Sequence, residues 1–134
     1  MRGYPHHIDL TVKNIEESIS FYDLVLPRLG YRREELSAGE APSWCCKDEF
    51  VNYFGIALHQ ADNQEEHDRY SAGLHHLAFH AENREEVDDF HKFLLANQIE
   101  ILDAPEEYDY TPGYYAVFFS DPNGIKLEVV HEPR

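Results

Sequence analysis

The chain has little cysteine, little positive charge and no long apolar run, and each shortage closes off a class of protein. Its only cysteines, Cys45 and Cys46, are neighbours. Adjacent cysteines bridge only with strain, and two residues make no disulfide framework, so both are expected as reduced thiols. Eleven Lys and Arg stand against 26 Asp and Glu in 134 residues, for a formal net charge of −15. Such a surface repels nucleic-acid phosphates and disfavours a strongly anionic substrate that lacks a local basic pocket. The plain consequence of the acidity is solubility. No apolar stretch approaches the ~18 residues of a membrane span. The start, "MRGYPHH", carries no apolar signal segment, so a cytoplasmic location is expected.

What is present suffices for a core. The chain is 43% hydrophobic and 13% aromatic, which argues against disorder, and its length suits one domain or two small modules sharing a core. An internal repeat decides for the modules. His75 lies 69 residues after His6, and the same offset pairs His7 with His76, Asn14 with Asn83, Glu16 with Glu85, Glu17 with Glu86, Phe21 with Phe90 and Leu26 with Leu95. The copies run over about 1–68 and 69–134.

Each copy opens on alternation. Ile8, Leu10 and Val12, and later Leu77 and Phe79, take every second place, as a strand with one buried face requires. Asn14 and Asn83 then read as helix N-caps, with Glu17 and Glu86 three residues on. Apolar spacing predicts core faces of Ile15, Ile19, Tyr22 and Leu26 on the first helix, and Val87, Phe90, His91 and Leu94 on the second. Pro27 should end the first helix. Strands are expected at about 31–37, 43–48 and 50–60, and at about 99–103, 114–120 and 125–131. "DPNG" at 121–124 should turn the last two into a hairpin. The order in each copy is β-α-β-β-β, and the fold class is α+β.

Parity selects among nine histidines. With the apolar residues facing the helix, His7, Asp9, His76 and His80 face away, as do Lys126, Glu128 and Val130 on the last strand. Each doubled histidine then offers one ring to each face, the second being the inward one. The offset of 69 maps Glu128 onto His59, with "GIALH" matching "GIKLE". His7, His59, His76 and Glu128 therefore take equivalent faces, and a pseudo-two-fold axis between the copies would bring them together. Imidazole and carboxylate suit Zn, Ni, Fe, Co or Mn as divalent ions. The other reading of any strand histidine is a satisfied or solvent-facing side chain, and His6, His75, His67, His91 and His131 fit it better. His80 either lines the pocket or supports a ligand.

On the stretches "HHIDLTVKNIEESISFYDLVLPRLGY", "HHLAFHA" and "FFSDPNGIKLEVV", the chain resembles the vicinal oxygen chelate superfamily, which includes glyoxalase I, fosfomycin resistance proteins, extradiol dioxygenases and bleomycin resistance proteins. The resemblance covers most of the chain. It implies two tandem βαβββ modules whose mixed sheets cup a metal, with ligands on the first and last strand of each module, matching His7, His59, His76 and Glu128. The cleft closes either within one chain or across a homodimer. In glyoxalase I the place of His59 is typically Glu, so His59 departs from that pattern. The three-ligand set of fosfomycin resistance proteins and dioxygenases is present as His7, His76 and Glu128.

The implied chemistry is a metal that chelates two neighbouring substrate oxygens as a Lewis acid while a nearby base moves a proton. Glu128 is the candidate for ligand and base together, by resemblance to glyoxalase I. Asp9 is either a base, a substrate contact or a solvated strand residue. Four protein ligands close a tetrahedral zinc site, but on an octahedral ion they leave two places for the substrate. Three ligands match the facial triad of iron oxygenases. The expected function is a glyoxalase I-like lyase or isomerase of a small oxygenated substrate such as a hemithioacetal or α-hydroxycarbonyl. The alternatives are an extradiol-type dioxygenase and a metal-free binding module like the bleomycin resistance proteins. Fosfomycin modification fits less well, because Lys126 is the one basic residue assigned to the inner face. Tyr108, Tyr110, Tyr114 and Tyr115 are expected at a pocket rim, either stacking on an aromatic substrate or simply packing.

Overall fold

The computed structural model describes residues 2–34, 39–47 and 53–133. It divides into two compact units, Met1–Glu65 and Glu66–Arg134. The first holds β1 (His7–Val12), α1 (Ile15–Val25), a 3₁₀ turn (Leu26–Leu29), β2 (Arg32–Arg33), β3 (Ser43–Lys47) and β4 (Tyr53–Gln60). The second holds β5 (His76–His80), α2 (Arg84–Ala96), β6 (Ile101–Tyr108), β7 (Tyr114–Ser120) and β8 (Lys126–His131). Each unit is one four-stranded mixed sheet, in the orders β1-β4-β3-β2 and β5-β8-β7-β6. In both the first strand lies parallel to the last, and the other pairings are antiparallel. The expected α+β modules are therefore found. Residues 35–37, 48 and 50–52 of the expected strands lie outside the described residues.

The helix starts follow from their caps. Asn14 accepts from the Glu17 backbone N–H at 3.0 Å, and Asn83 from that of Glu86 at 2.8 Å. Glu86 also reaches back, taking the Glu82 N–H at 2.7 Å, so two otherwise orphaned donors are satisfied. α1 ends at Val25, and the chain runs on through Pro27 as a 3₁₀ turn closed by Gly30 at φ +87°. Of the expected core face, Tyr22 and Leu26 are buried while Ile15 and Ile19 are only half-buried, and Ser18 and Val25 are buried in addition. On α2, Val87, Phe90 and Leu94 are buried and His91 is half-buried.

Each helix seals one face of its sheet. Tyr22 meets Trp44 at 6.0 Å in the first unit, and Phe90 meets Phe119 at 5.4 Å in the second. Leu10, Val12, Ile56 and Leu58 complete the first core, and Val117, Leu127 and Val129 the second. The β7–β8 hairpin forms at "DPNG" as expected, and Asp121 organises it. Its carboxylate accepts from the backbone N–H groups of Asn123 and Ile125, both at 2.8 Å, while Gly124 supplies φ +84°. β6 is longer than the expected 99–103. It continues through Pro105 as an edge strand with two register breaks, a place where a missing N–H costs no ladder bond.

Candidate functional site

The parity assignment of faces holds in each sheet. β1 sets His7 opposite Gly55, Asp9 opposite Ala57 and Thr11 opposite His59. β5 sets His76 opposite Lys126 and Ala78 opposite Glu128. Directly paired residues share a face, so His7, Asp9 and His59 are together on one face of the first sheet. His76, His80, Lys126 and Glu128 share the corresponding face of the second, where His80 is exposed.

The positional equivalence of His59 and Glu128 does not hold. By the offset of 69, His76 would lie opposite Gly124, yet it lies opposite Lys126. The closing strand of the second unit is slid by two residues against its neighbour. A slide of two preserves every face, which is why alternation cannot reveal it. The residue of the first unit that occupies the place of Glu128 is Ala57, and His59 stands two residues farther along, about 6–7 Å at strand rise.

In the first unit, Asp9 stands between the two histidines. Its carboxylate lies 3.1 Å from His59 Nε2 and 3.5 Å from His7 Nε2, with all three side chains about half exposed. In the second unit, Glu128 is 1% exposed. His76 Nε2 is 3.1 Å from its Oε1, and the Tyr114 hydroxyl donates to Oε2. Burial, and then that bond, push the Tyr114 phenol well above its ordinary value. Among the described residues no three or more His, Cys, Asp or Glu side chains are grouped so that they could hold a metal ion. Asp9 and His59 are engaged with each other.

The doubled histidines differ from the expectation of one ring per face. Strand pairing begins at His7 and His76, so His6 and His75 precede the strands and escape their alternation. Each turns back onto its neighbour: Nδ1 of His6 is 2.9 Å from Nδ1 of His7, and Nδ1 of His75 is 2.7 Å from Nδ1 of His76.

The tyrosines divide. Tyr115 turns to the helix side and donates to Asp88 at 2.5 Å. Tyr108, Tyr110 and Tyr114 cluster instead, with Tyr108 and Tyr110 stacked at 5.3 Å. Phe118 joins them and carries Lys126 Nζ over its ring at 4.4 Å, so this cation is already engaged, while Arg32 and Lys47 lie on the His7 face of the first sheet. Tyr108 and Tyr114 pack on Ala116, Phe118 and Val130.

One polar group has no counterpart in the sequence reading. Glu34 accepts from Ser43 Oγ at 2.7 Å and from Tyr53 Oη at 2.8 Å. Gly55 makes room for this: a Cβ there would stand 2.7 Å from Tyr53 Oη. The Ser43 bond holds the Glu34 carboxyl below its ordinary value against the opposing pull of burial, with Tyr53 adding to it. Burial and Glu34 push Tyr53 up to about 12. Because the Glu34 pKa is depressed on folding, the network stabilises the fold above the usual carboxylate range and is lost as pH falls through the folded value. Ser43→Ala should therefore cost stability in urea unfolding at neutral pH, and little at a pH below the folded value.

Cys45 and Cys46 are free thiols, and burial pushes the Cys45 thiol up, away from reactivity. Among the described residues no helix is long and apolar enough to cross a membrane.

The sequence matches the family model described as Glyoxalase/Bleomycin resistance protein/Dioxygenase superfamily over residues 4–129. It is 37% identical over 130 residues to YqjT, an uncharacterised protein of Bacillus subtilis (strain 168), across 93% of this chain and 96% of that protein. Among solved structures it is similar to a Bacillus halodurans protein provisionally described as a glyoxalase, with TM-score 0.79 and 34% identity over 98% and 97% of the two chains. The fold alone is shared with the fosfomycin resistance protein FosX of Listeria monocytogenes, at TM-score 0.68 and 18% identity over 99% and 96%.

Proposed function

Because the chain belongs to the Glyoxalase/Bleomycin resistance protein/Dioxygenase superfamily, we propose that it is a cytoplasmic, metal-dependent enzyme of glyoxalase I type. It acts as a lyase or isomerase on a small oxygenated substrate, and a homodimer is the proposed assembly. His7, His59, His76 and Glu128 are the proposed ligands of one divalent ion, drawn from Zn, Ni, Fe, Co and Mn.

The observation that carries this reading is Glu128. A carboxylate that is 1% exposed is costly unless a cation faces it. Among the described residues its ion-pair partner is a histidine, charged only when protonated, and its other oxygen takes a neutral phenol. A buried anion beside an imidazole nitrogen is half of a ligand set in both charge and donor type. When bound, such an ion supplies Lewis-acid polarisation of two neighbouring substrate oxygens.

The chain's own residues do the rest. Glu128 is the candidate to take a proton from the substrate carbon. The Tyr114 hydroxyl fixes one of its oxygens, and Oε1, beside His76 Nε2, is the one proposed to act. Asp9 orients His59 through the 3.1 Å contact and is the second candidate base. The tyrosine cluster beside Glu128 offers apolar surface to the remainder of a small substrate.

The register favours a second reading, an extradiol-type dioxygenase. His59 is displaced along β4 and engaged by Asp9, which leaves His7, His76 and Glu128 as a three-ligand set. The test is to load the protein with each of the five ions and assay it in parallel on hemithioacetals and on catechols. Turnover of the hemithioacetal, lost in His76→Ala, supports the first reading. Oxygen consumption with catechol supports the second, and activity in neither assay with any ion opposes both.

A further inference from the structure

Both doubled histidines make the same contact, although their surroundings differ. In each, the two Nδ1 atoms lie within hydrogen-bond distance and the rings meet edge-on, at 87° and 74°. Two ring nitrogens so close must hold one proton between them: one N–H donates and one lone pair accepts. Two N–H groups, or two lone pairs, would repel. The protonation of the outer ring is thereby tied to that of the inner one.

The props behind the outer rings are unrelated. His6 lies against the Tyr53 ring at 4.6 Å, and Tyr53 is anchored on Glu34. His75 lies against the Tyr70 ring at 5.6 Å, and the Tyr70 backbone N–H is anchored on Asp68 at 2.9 Å. Two different supports deliver one geometry, so the contact is not the by-product of a shared neighbour.

The geometry points to a role for His6 and His75 as tautomer-setting positioning residues for His7 and His76. This rests on the reading of the inner histidines as metal ligands. A ligand must offer the Nε2 lone pair, so its proton sits on Nδ1, and an acceptor must wait there. In the second unit that acceptor is His75 Nδ1. Without an ion, His76 Nε2 stands 3.1 Å from Glu128 Oε1, where the carboxylate favours the Nε2–H tautomer; His76 Nδ1 would then accept and His75 Nδ1–H donate. As a ligand, His76 would hold its proton at Nδ1 and His75 at its own Nε2, and the pair would gain or lose none. An outer imidazole is suited to this because it can serve as donor or acceptor.

The experiment compares wild type with His75→Leu and His75→Asn, since asparagine can also donate or accept. Zinc affinity by chelator competition is one readout, and nitrogen-15 NMR of the His75 and His76 rings, with and without zinc, is the other. The expected result is a loss of about 10–100-fold in zinc affinity for His75→Leu, as when a ligand loses its supporting partner, and recovery to within a few-fold in His75→Asn. In wild type the His76 ring should be the Nε2–H tautomer without zinc and Nδ1–H with it, and the His75 ring should change oppositely, from Nδ1–H to Nε2–H. Unchanged affinity in His75→Leu, or a His75 tautomer that does not change on zinc loading, overturns the role. If wild type takes up no zinc, the metal reading fails separately, and the metal-free tautomers still decide: Nδ1–H on His75 with Nε2–H on His76 supports the coupling, and any other pairing overturns it.

Discussion

Glu128→Gln should abolish stoichiometric metal and leave the fold standing. Glutamine keeps the shape of the side chain. Its carbonyl can still accept from the Tyr114 hydroxyl, and its amide can donate to His76 Nε2, so both partners remain satisfied. Stability should change by no more than about 1 kcal/mol, the net worth of a typical hydrogen bond. Metal affinity loses an anionic ligand, and should fall by more than the roughly 100-fold that marks loss of a supporting residue. Glu128→Ala separates the two effects. It strands a phenol and an imidazole, which should cost about 1–3 kcal/mol in addition to the metal. Thermal unfolding beside metal titration reads both. Retained metal in Glu128→Gln would remove the carboxylate from the ligand set.

Trp44→Ala should cost about 3–5 kcal/mol of stability, the range for truncating a large core aromatic. Trp44 is fully buried on the helix side of β3. It packs against Tyr22, donates from Nε1 to Asp23 at 2.8 Å, and lies under the Arg33 guanidinium at 5.1 Å. Asp23 also takes Arg33 at 3.1 Å, so one side chain ties β3, β2 and α1 together. Trp44→Phe keeps most of the apolar volume and loses the indole N–H, so its cost should be distinctly smaller. Against a total of about 5–15 kcal/mol for an ordinary domain, the alanine variant is severe. Urea unfolding followed by far-ultraviolet circular dichroism is the suitable measurement, because Trp44 is the only tryptophan. A loss below ~1 kcal/mol would contradict this account of the first core.

The modules were legible because repeat and alternation are properties of order along the chain. Asn14 and Asn83 announced the helices, and parity put His7, His76 and Glu128 on the right faces. What escaped depends on neighbours that spacing does not name. A two-residue slide of β8 leaves alternation intact while moving Glu128 from the level of His59 to that of Ala57. His6 and His75 lie one residue outside the strands, where the pleat no longer dictates direction. Tyr114 reaches Glu128 from a position paired elsewhere along the strand, through the length of a phenol. Pro105 and its acidic neighbours lie beyond the strand expected at about 99–103, and are strand because β6 is an edge with bulges. Glu34, Ser43 and Tyr53 come from three strands or their ends, with no common period to mark them.

The most direct test of the account is metal content. Protein purified without chelators, and separately stripped and titrated with Zn, Ni, Fe, Co and Mn, should bind one ion per chain by elemental analysis. His76→Ala and Glu128→Gln should bind none stoichiometrically. Failure of the wild-type protein to retain or saturably take up any of the five ions would contradict the proposal that His7, His59, His76 and Glu128 serve a metal.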